Sequence, residues 1–466
     1  MMRIAVIGGG ATGVLVAAQI GRRLRGQRVD VLVIDPAETV GPGLAYSTAD
    51  PWHLLNVRVA NMSAFADDPE HLIGWLRRRG ESATPFSFIS RRTYGDYVAD
   101  IGREAIAARD IRHVRDTVVA MREGAAAVAL RLASGATLGV DRVVLATGHE
   151  VKPAIGGIPA EQPWTPGSLD GLAVEAPILI VGSGLTMVDM ALSLERRGHR
   201  GPIVSVSRRG LLPHAHRPVT IPRALAAAEV PFGQNLSGLL HWLRALARRF
   251  EVDGADWRAA IDVLRPHTQR LWQAMSLEQK RRFLRHARAY WDIHRHRMAP
   301  EIETAVAGLR ASGRLQIVAG RIVTAKRTLQ GVHVEIAERA GERLRTQAFA
   351  RVIDCTGLAN DVTQSPNPLI RSLLAHGVVR PDALDIGLDV GEDFAVIGAD
   401  GAPSPRILTL GPLARGALWE CIAVPDIRLQ CRDVAERLAA QCESELGVAF
   451  GAAPLKLLVD NVYQHT

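Results

Sequence analysis

The chain of 466 residues is long enough for two or three domains, and its 47% hydrophobic and 22% charged residues are an ordinary globular balance with ample material for large cores. No run of about 18 uncharged apolar residues occurs, which argues against a membrane span. The net charge of +8 suits anionic cofactors or substrates, or is simply a solvated basic surface; with no aromatic-interleaved basic motif, nucleic acid is not an expected partner.

Arg3 to Ile7 reads as a buried strand, Val14 to Leu24 as a helix, and Val29 to Ile34 as a second strand closed by Asp35. Between the first strand and the helix, Gly8, Gly10 and Gly13 fall at G-x-G-x-x-G spacing around Thr12. Gly8 permits the sharp turn, Gly10 lets a pyrophosphate approach the backbone, and Gly13 lets helix and strand pack closely. The helix N-terminus offers unpaired N–H groups to phosphate. Asp35, 22 residues past Gly13, can accept both hydroxyls of an unphosphorylated adenosine ribose, which favours FAD or NAD over NADP at this first site.

The strand at residue 3 leaves no room for a signal peptide, and Cys355, Cys421, Cys431 and Cys442 show no C-x-x-C or metal-finger spacing. A reducing cytoplasm with free thiols and no metal is the simple expectation. Gly41 to Thr48, Trp52 to Asn56 and Asn61 to Ser63 are loop-like, directly downstream of the ribose acid. Asn56, Asn61, Met62 and Ser63 are candidates for contact with a flavin or its ribityl chain, with structurally satisfied loop polars as the competing reading. Pro69 to Arg79 and Thr93 to Ala108 are helical by period. Ile111 to Val119, Ala127 to Leu132 and Thr137 to Val140 look like short antiparallel strands. Arg142 to Leu145 is a buried strand ending in Ala146-Thr-Gly148, a small-residue turn that can approach a bound dinucleotide.

Residues 150–176 read as a Pro- and Gly-rich linker. A second strand–turn–helix–strand unit follows, with Gly182, Ser183, Gly184 and Thr186 in the turn and Met187 where the third glycine would fall. Its second strand ends in Arg208 and Arg209, where the first unit has Asp35. A guanidinium there can take a 2′-phosphate by a forked pair, so this site reads as NADPH-type, with NADH as the alternative coenzyme. Residues 221–312 read as a mostly helical insertion in which Trp242, Trp257, Trp272 and Trp291 recur as core. His286, His294, Arg295, His296 and Arg297 form a basic cluster at the end of its last long helix. Strands follow at Leu315–Val318, Ile322–Arg327, Gly331–Glu338 and Arg345–Ala348. The strand of residues 350–354 ends in Cys355-Thr-Gly357, which repeats the Ala-Thr-Gly ending and indicates an internal duplication of architecture. A strand turning at Gly411 and a final helix over Asp426 to Glu445 close the chain.

The expected fold class is α/β: two Rossmann-like dinucleotide-binding domains of the three-layer, glutathione-reductase-like kind with a mostly helical insertion. Residues 1–165 and 345–466 would form a discontinuous FAD-binding domain. Residues 166–344 would form an NAD(P)H-binding domain carrying the insertion at about 221–312.

On Gly8-Gly-Gly-Ala-Thr-Gly13, Gly41 to Ser47, His53 to Asn56, Asn61-Met62-Ser63, Gly182 to Asp189, Asp354 to Gly357, and Leu410 to Pro412 with Trp419-Glu420, the chain resembles the FAD/NAD(P)-binding flavoproteins, the flavin-dependent monooxygenase-like group in particular. The resemblance runs over nearly the whole chain and covers the helical insert least. It implies FAD near Gly8–Gly13, Asp35 and the C-terminal turn at Gly411, and NAD(P)H around Gly182–Met187 and Arg208–Arg209. The function it implies is a single-component monooxygenase hydroxylating a small molecule with O2 through a C4a-(hydro)peroxyflavin, urate hydroxylation being one such activity. An NAD(P)H oxidase or reductase without oxygen insertion and a non-enzymatic nucleotide-binding sensor are the alternatives. No catalytic side chain stands out, because the flavin carries the hard chemistry.

Overall fold

The computed structural model describes residues 1–149, 155–218, 221, 223–339, 344–357 and 361–446. Two six-stranded sheets organise them. The first runs Ala395–Ile397, Pro403–Thr409, Arg142–Leu145, Met2–Ile7, Val29–Ile34, Arg112–Val114, parallel throughout except for the Ala395–Ile397 edge strand. Its central strand, with Ile4, Ala5 and Val6 fully buried, is covered on both faces, as a parallel sheet requires. On one face lie the Ala11–Arg23, Arg91–Ala107 and Val424–Leu446 helices. Thr12 to Gly21 is buried without interruption, so this helix shows little amphipathic pattern: it is held between the sheet and other helices. The meander Val118–Glu123, Val128–Leu132, Thr137–Val140 supplies the third layer and packs on the Pro368–Ala375 helix.

The second sheet runs Leu344–Phe349, Gly331–Glu338, Leu315–Thr328, Ile203–Ser207, Ile178–Val181, Arg351–Asp354. Its last four strands are parallel and repeat the first sheet's arrangement around the opening strand. The repetition extends to single hydrogen bonds. The Gly8 N–H donates to the Ile34 carbonyl (3.0 Å) and the Ala146 N–H to the Ile7 carbonyl (2.9 Å); likewise Gly182 donates to Val206 (2.8 Å) and Cys355 to Val181 (2.8 Å). Both domains are therefore Rossmann-like.

Three sequence expectations change. Leu344–Phe349 and Arg351–Asp354 belong to the second sheet, so the chain returns to the first domain after Asp354, not at residue 345. The segment Ile111 to Val119 divides: Arg112–Val114 is the parallel edge of the first sheet, and the meander begins at Val118. The insertion ends near Arg295, because Pro300–Ala311 is the crossover helix that packs on the Leu185–Arg196 helix within the second domain. What remains of the insertion has its own apolar core around Leu246, Phe250, Ala259, Ala260 and Val263. Of the four tryptophans expected in the core, Trp272 is 2% exposed, whereas Trp242, Trp257 and Trp291 are half-buried. The linker expected at 150–176 falls partly outside the described residues, at 150–154.

Candidate cofactor cleft

The carboxyl ends of the first sheet's parallel strands meet that of Arg351–Asp354 from the second sheet at one cleft, which Gly182, Ser183, Gly184, Arg208 and Arg209 do not line. The first domain lines it with Gly8, Gly10, Thr12, Asp35, Gly148 and the loop residues Tyr46, Asn56 and Met62; the second lines it with Thr186, Asp354 and Gly357. The first turn is built by contact. Gly8 has φ +107°, and a Cβ there would lie 2.5 Å from the Ala146 carbonyl oxygen. A Cβ on Gly13 would lie 1.8 Å from the Gly8 oxygen, so only glycine lets the helix approach the strand. Gly10 is different: a Cβ there would make only ordinary contact with the Gly43 Cα, at 3.6 Å, and as N-cap of the Ala11–Arg23 helix it makes no side-chain cap. The N–H groups of that first turn face the cleft without a side-chain acceptor, the arrangement a phosphate takes up. Asp35 is held at the rim by the Gly9 N–H (2.7 Å) and the Ala37 N–H (2.9 Å), one on each carboxylate oxygen.

In the second domain Gly182 repeats the role of Gly8, with φ +111° and a Cβ that would meet the Cys355 carbonyl oxygen at 2.3 Å. Gly184 caps the Leu185–Arg196 helix without a side-chain bond, and no atom lies within 4 Å of a Cβ placed on it. Met187, fully buried, fills the helix–sheet space that Gly13 closes in the first domain. Arg208 is exposed at the strand end. Arg209 turns to the insertion, with its guanidinium 5.4 Å from the Tyr290 ring centroid and donating to the Arg285 and His286 carbonyls.

Some candidates lie off the cleft. Ser63 is fully buried; its hydroxyl donates to the Asp68 carbonyl (2.5 Å) and accepts from the Phe65 N–H, so its polarity is consumed by the loop. Asn61 ends a short turn outside the lining residues. Ser183 bonds Ser207 and the Leu211 carbonyl. Gly411 packs against Thr12 and donates its N–H to Gln430, and it is the next residue, Pro412, that lines the cleft.

Other lining residues were not among the predicted site residues, although His296 belongs to the basic cluster and Ile422–Val424 to the turn before the final helix. Arg91, His149, Gln162–Trp164, His296 and Ile422–Val424 come from a helix start, a strand end, the expected linker, the insertion's end and the C-terminal turn. Burial, with Arg415 nearby, pushes the His149 imidazole down to about 4. The basic cluster expected at 286–297 divides: His296 enters the cleft, His286 and His294 face a second cavity, and Arg297 pairs with Asp262. His296 is backed by Glu420, a buried residue with φ +66°. Burial works against ionisation of Glu420, but Arg295, His296 and the Trp291 N–H (2.7 Å) together hold its carboxyl below the usual range. The four cysteines are buried, and burial pushes the thiols of Cys355, Cys421 and Cys431 up, away from the reactive thiolate. No helix among the described residues is long and apolar enough to cross a membrane.

Residues 5–150 match a family model described as FAD-NAD(P)-binding. No curated protein matches the chain. Among solved structures, the chain is similar to Kutzneria sp. 744 ornithine N-hydroxylase, KtzI, solved with FADred, NADP+ and L-orn. The identity is 14% over 94% of this chain and 99% of that one, at a TM-score of 0.64. It is also similar to the cadaverine monooxygenase DfoA of Erwinia amylovora, bound to FAD (12% identity, 97% and 98% covered, TM-score 0.63). Lactococcus lactis thioredoxin reductase shares the fold at 11% identity, 96% and 100% covered, with a TM-score of 0.53. The expected resemblance and fold class are thereby found again, with two Rossmann-like domains in one chain.

Proposed function

We propose that this protein is an FAD-dependent, NADPH-using oxidoreductase, a single-component monooxygenase that hydroxylates a small molecule. The observation that carries the reading is the single cleft lined from both sheets, by Gly8 and Gly148 on one side and Thr186, Asp354 and Gly357 on the other. Two separate pockets would leave no route between coenzyme and flavin. The cleft also fits a polar ligand at single atoms: Thr147 Oγ1, Arg91 Nε and Asp354 Oδ2 are buried without a hydrogen-bond partner.

When bound, the flavin accepts a hydride from the nicotinamide and activates O2 for transfer to substrate. The chain's own residues bind, orient and exclude water. The Ala11–Arg23 helix N-terminus would take the FAD pyrophosphate and Asp35 the ribose hydroxyls. Asn56 and Met62 would border the flavin and its ribityl chain. In the second domain Gly184 and Thr186 would receive the NADPH pyrophosphate and Arg208 its 2′-phosphate. Ala423 and Val424 open the C-terminal helix at the cleft, where its N–H groups can stabilise electron-rich oxygen atoms. Neutral His149 and the Glu420-backed His296 are the side chains placed to hold a proton at the cleft.

The similarity to ornithine and cadaverine enzymes makes primary amines the first substrates to try. Urate has no support in these similarities and is not carried forward. A disulfide reductase would need two reactive thiols, and buried cysteines with raised pKa do not supply them. An NADPH oxidase that releases H2O2 remains the second reading, favoured by the same cleft.

The test is anaerobic reduction followed by aerobic turnover. The purified protein should show a flavin spectrum that bleaches with NADPH faster than with NADH. Ornithine, lysine and cadaverine should then be screened for hydroxylated product against H2O2 released. Protein that takes up no FAD, or flavin that NADPH leaves oxidised, would sink the reading; reduction with stoichiometric H2O2 and every substrate unchanged would favour the oxidase.

A further inference from the structure

A second cavity, of about 710 Å³, lies wholly within the helical insertion and shares no lining residue with the cleft. Its size is that of a small-molecule site. One wall is the Leu236–Val252 helix and the other the run from Phe283 to Arg295. Leu243, Ala260, Ile261, Phe283 and Trp291 make it apolar.

Three features set it apart from a packing defect. First, Phe283–Ala287 is a π-helical turn, and it supplies Phe283, His286 and Ala287 to the wall. Such turns cost helix stability and recur at functional sites. Second, Leu240 and Tyr290 at the cavity remain 36% and 47% exposed, so apolar surface is left to water there. Third, the charge is one-sided. Arg244, Arg282, His286 and His294 line the cavity, and no Asp or Glu does. Among the described residues, neither the Arg244 nor the Arg282 side chain is in a hydrogen bond or ion pair.

We propose that the insertion is a receptor for an apolar anion, a molecule with an alkyl or aryl body and one carboxylate. The body would lie along Leu243, Ala260, Phe283 and Trp291, and the carboxylate at Arg244 and Arg282, where a guanidinium can take it by a forked, charge-assisted pair. The proposal does not rest on the oxidoreductase reading, because the two sites are built from different residues.

The experiment titrates the full-length protein as purified with decanoate and decyltrimethylammonium, each below its micellar concentration, and 1-decanol below its solubility limit. Binding is followed by calorimetry and by tryptophan fluorescence, since Trp257 and Trp291 are in the wall. Decanoate should bind saturably, at least tenfold more tightly than decanol, and the cation not at all. Arg244→Gln with Arg282→Gln should remove that preference while leaving decanol binding unchanged. Leu240→Asp, at an exposed site, should abolish decanoate binding with the circular dichroism spectrum and melting temperature intact. No saturable binding, equal binding of the three probes, or indifference to the arginine variants would overturn the proposal. So would a dimer in sedimentation that excludes decanoate, which would assign the groove to a second copy of the chain.

Discussion

Arg208 and Arg209 are neighbours in sequence with different physical tasks. Arg208 extends into solvent at the strand end, while Arg209 is committed to Tyr290 and two carbonyls of the insertion. Arg208→Ala should therefore raise KM for NADPH about tenfold or more and leave NADH nearly unchanged, the loss expected for a hydrogen bond to a charged group, about 1.5–3 kcal/mol. Steady-state kinetics with both coenzymes decides it, and equal effects on both would refute the 2′-phosphate contact. His216 yields a pH prediction. Burial, with Arg297 nearby, pushes its imidazole down to about 3, and its Nε2 meets the Asn56 carbonyl at 3.0 Å. Its folded pKa is below the unfolded value of about 6.5, so the unfolded chain takes the proton first. Its stabilising contribution is present above pH 6.5 and is lost as pH falls toward 3, up to about 2 kcal/mol by pH 5. His216→Gln, which keeps a donor for Asn56, should flatten the fall in denaturation midpoint between pH 6.5 and 5; an unchanged slope would show that His216 is not the group titrating.

At the scale of elements, the two turn–helix units are the same device closed differently. In the first, Gly13 permits contact with the Gly8 carbonyl; in the second, Met187 stands at the equivalent position, fully buried in that domain's core. Opposite outcomes follow. Gly13→Ala forces a Cβ to 1.8 Å from a backbone oxygen, which no side-chain movement relieves, and should yield protein that cannot retain flavin. Met187→Ala should leave flavin bound and lower stability by about 2–5 kcal/mol through the cavity it opens. Flavin content and chemical denaturation of the two variants separate these cases. The comparison also shows what the sequence reveals. The tight turns at Gly8, Gly13 and Gly182 were legible because a close backbone approach restricts residue type. The assignment of Arg351–Asp354 to one sheet or the other was not, because both domains use the same short buried strand and only pairing distinguishes them. Arg91 was hidden for a related reason: it reaches the cleft through tertiary placement, with no local spacing to mark it, and nothing in the spacing of the basic cluster separates His296, which enters the cleft, from His286 and His294, which do not. Asn61 and Ser63 misled in the other direction, as polar residues whose groups the loop itself engages.

Across the whole molecule, the insertion leaves the second domain in sequence but is fastened to the first. Trp272 donates to the Gly416 carbonyl (2.7 Å) and stacks on Trp419 at 4.6 Å, Trp291 donates to Glu420, and Arg265 pairs with Asp426 at 2.8 Å. All four anchors fall on the segment 416–426 that carries Ile422, Ala423 and Val424 to the cleft. A second fastening joins the domains directly. The Leu185–Arg196 helix receives His53 on Ser193 (2.8 Å) and Arg91 on Asp189 (3.3 Å). The insertion thus acts as a brace whose integrity the flavin side of the cleft should feel. Arg265→Ala tests this, since both partners of its ion pair are nearly buried and Asp426 would keep an uncompensated charge. The cost should be roughly 3 kcal/mol, with a flavin dissociation constant raised several-fold. Arg223→Ala, which removes an exposed pair with Glu229 inside the insertion, should cost under about 1 kcal/mol and leave flavin affinity alone. Flavin fluorescence titration beside thermal denaturation of both variants reads the two effects. If Arg265→Ala lowers stability while flavin affinity holds, the anchors support the insertion alone and the brace does not reach the cleft.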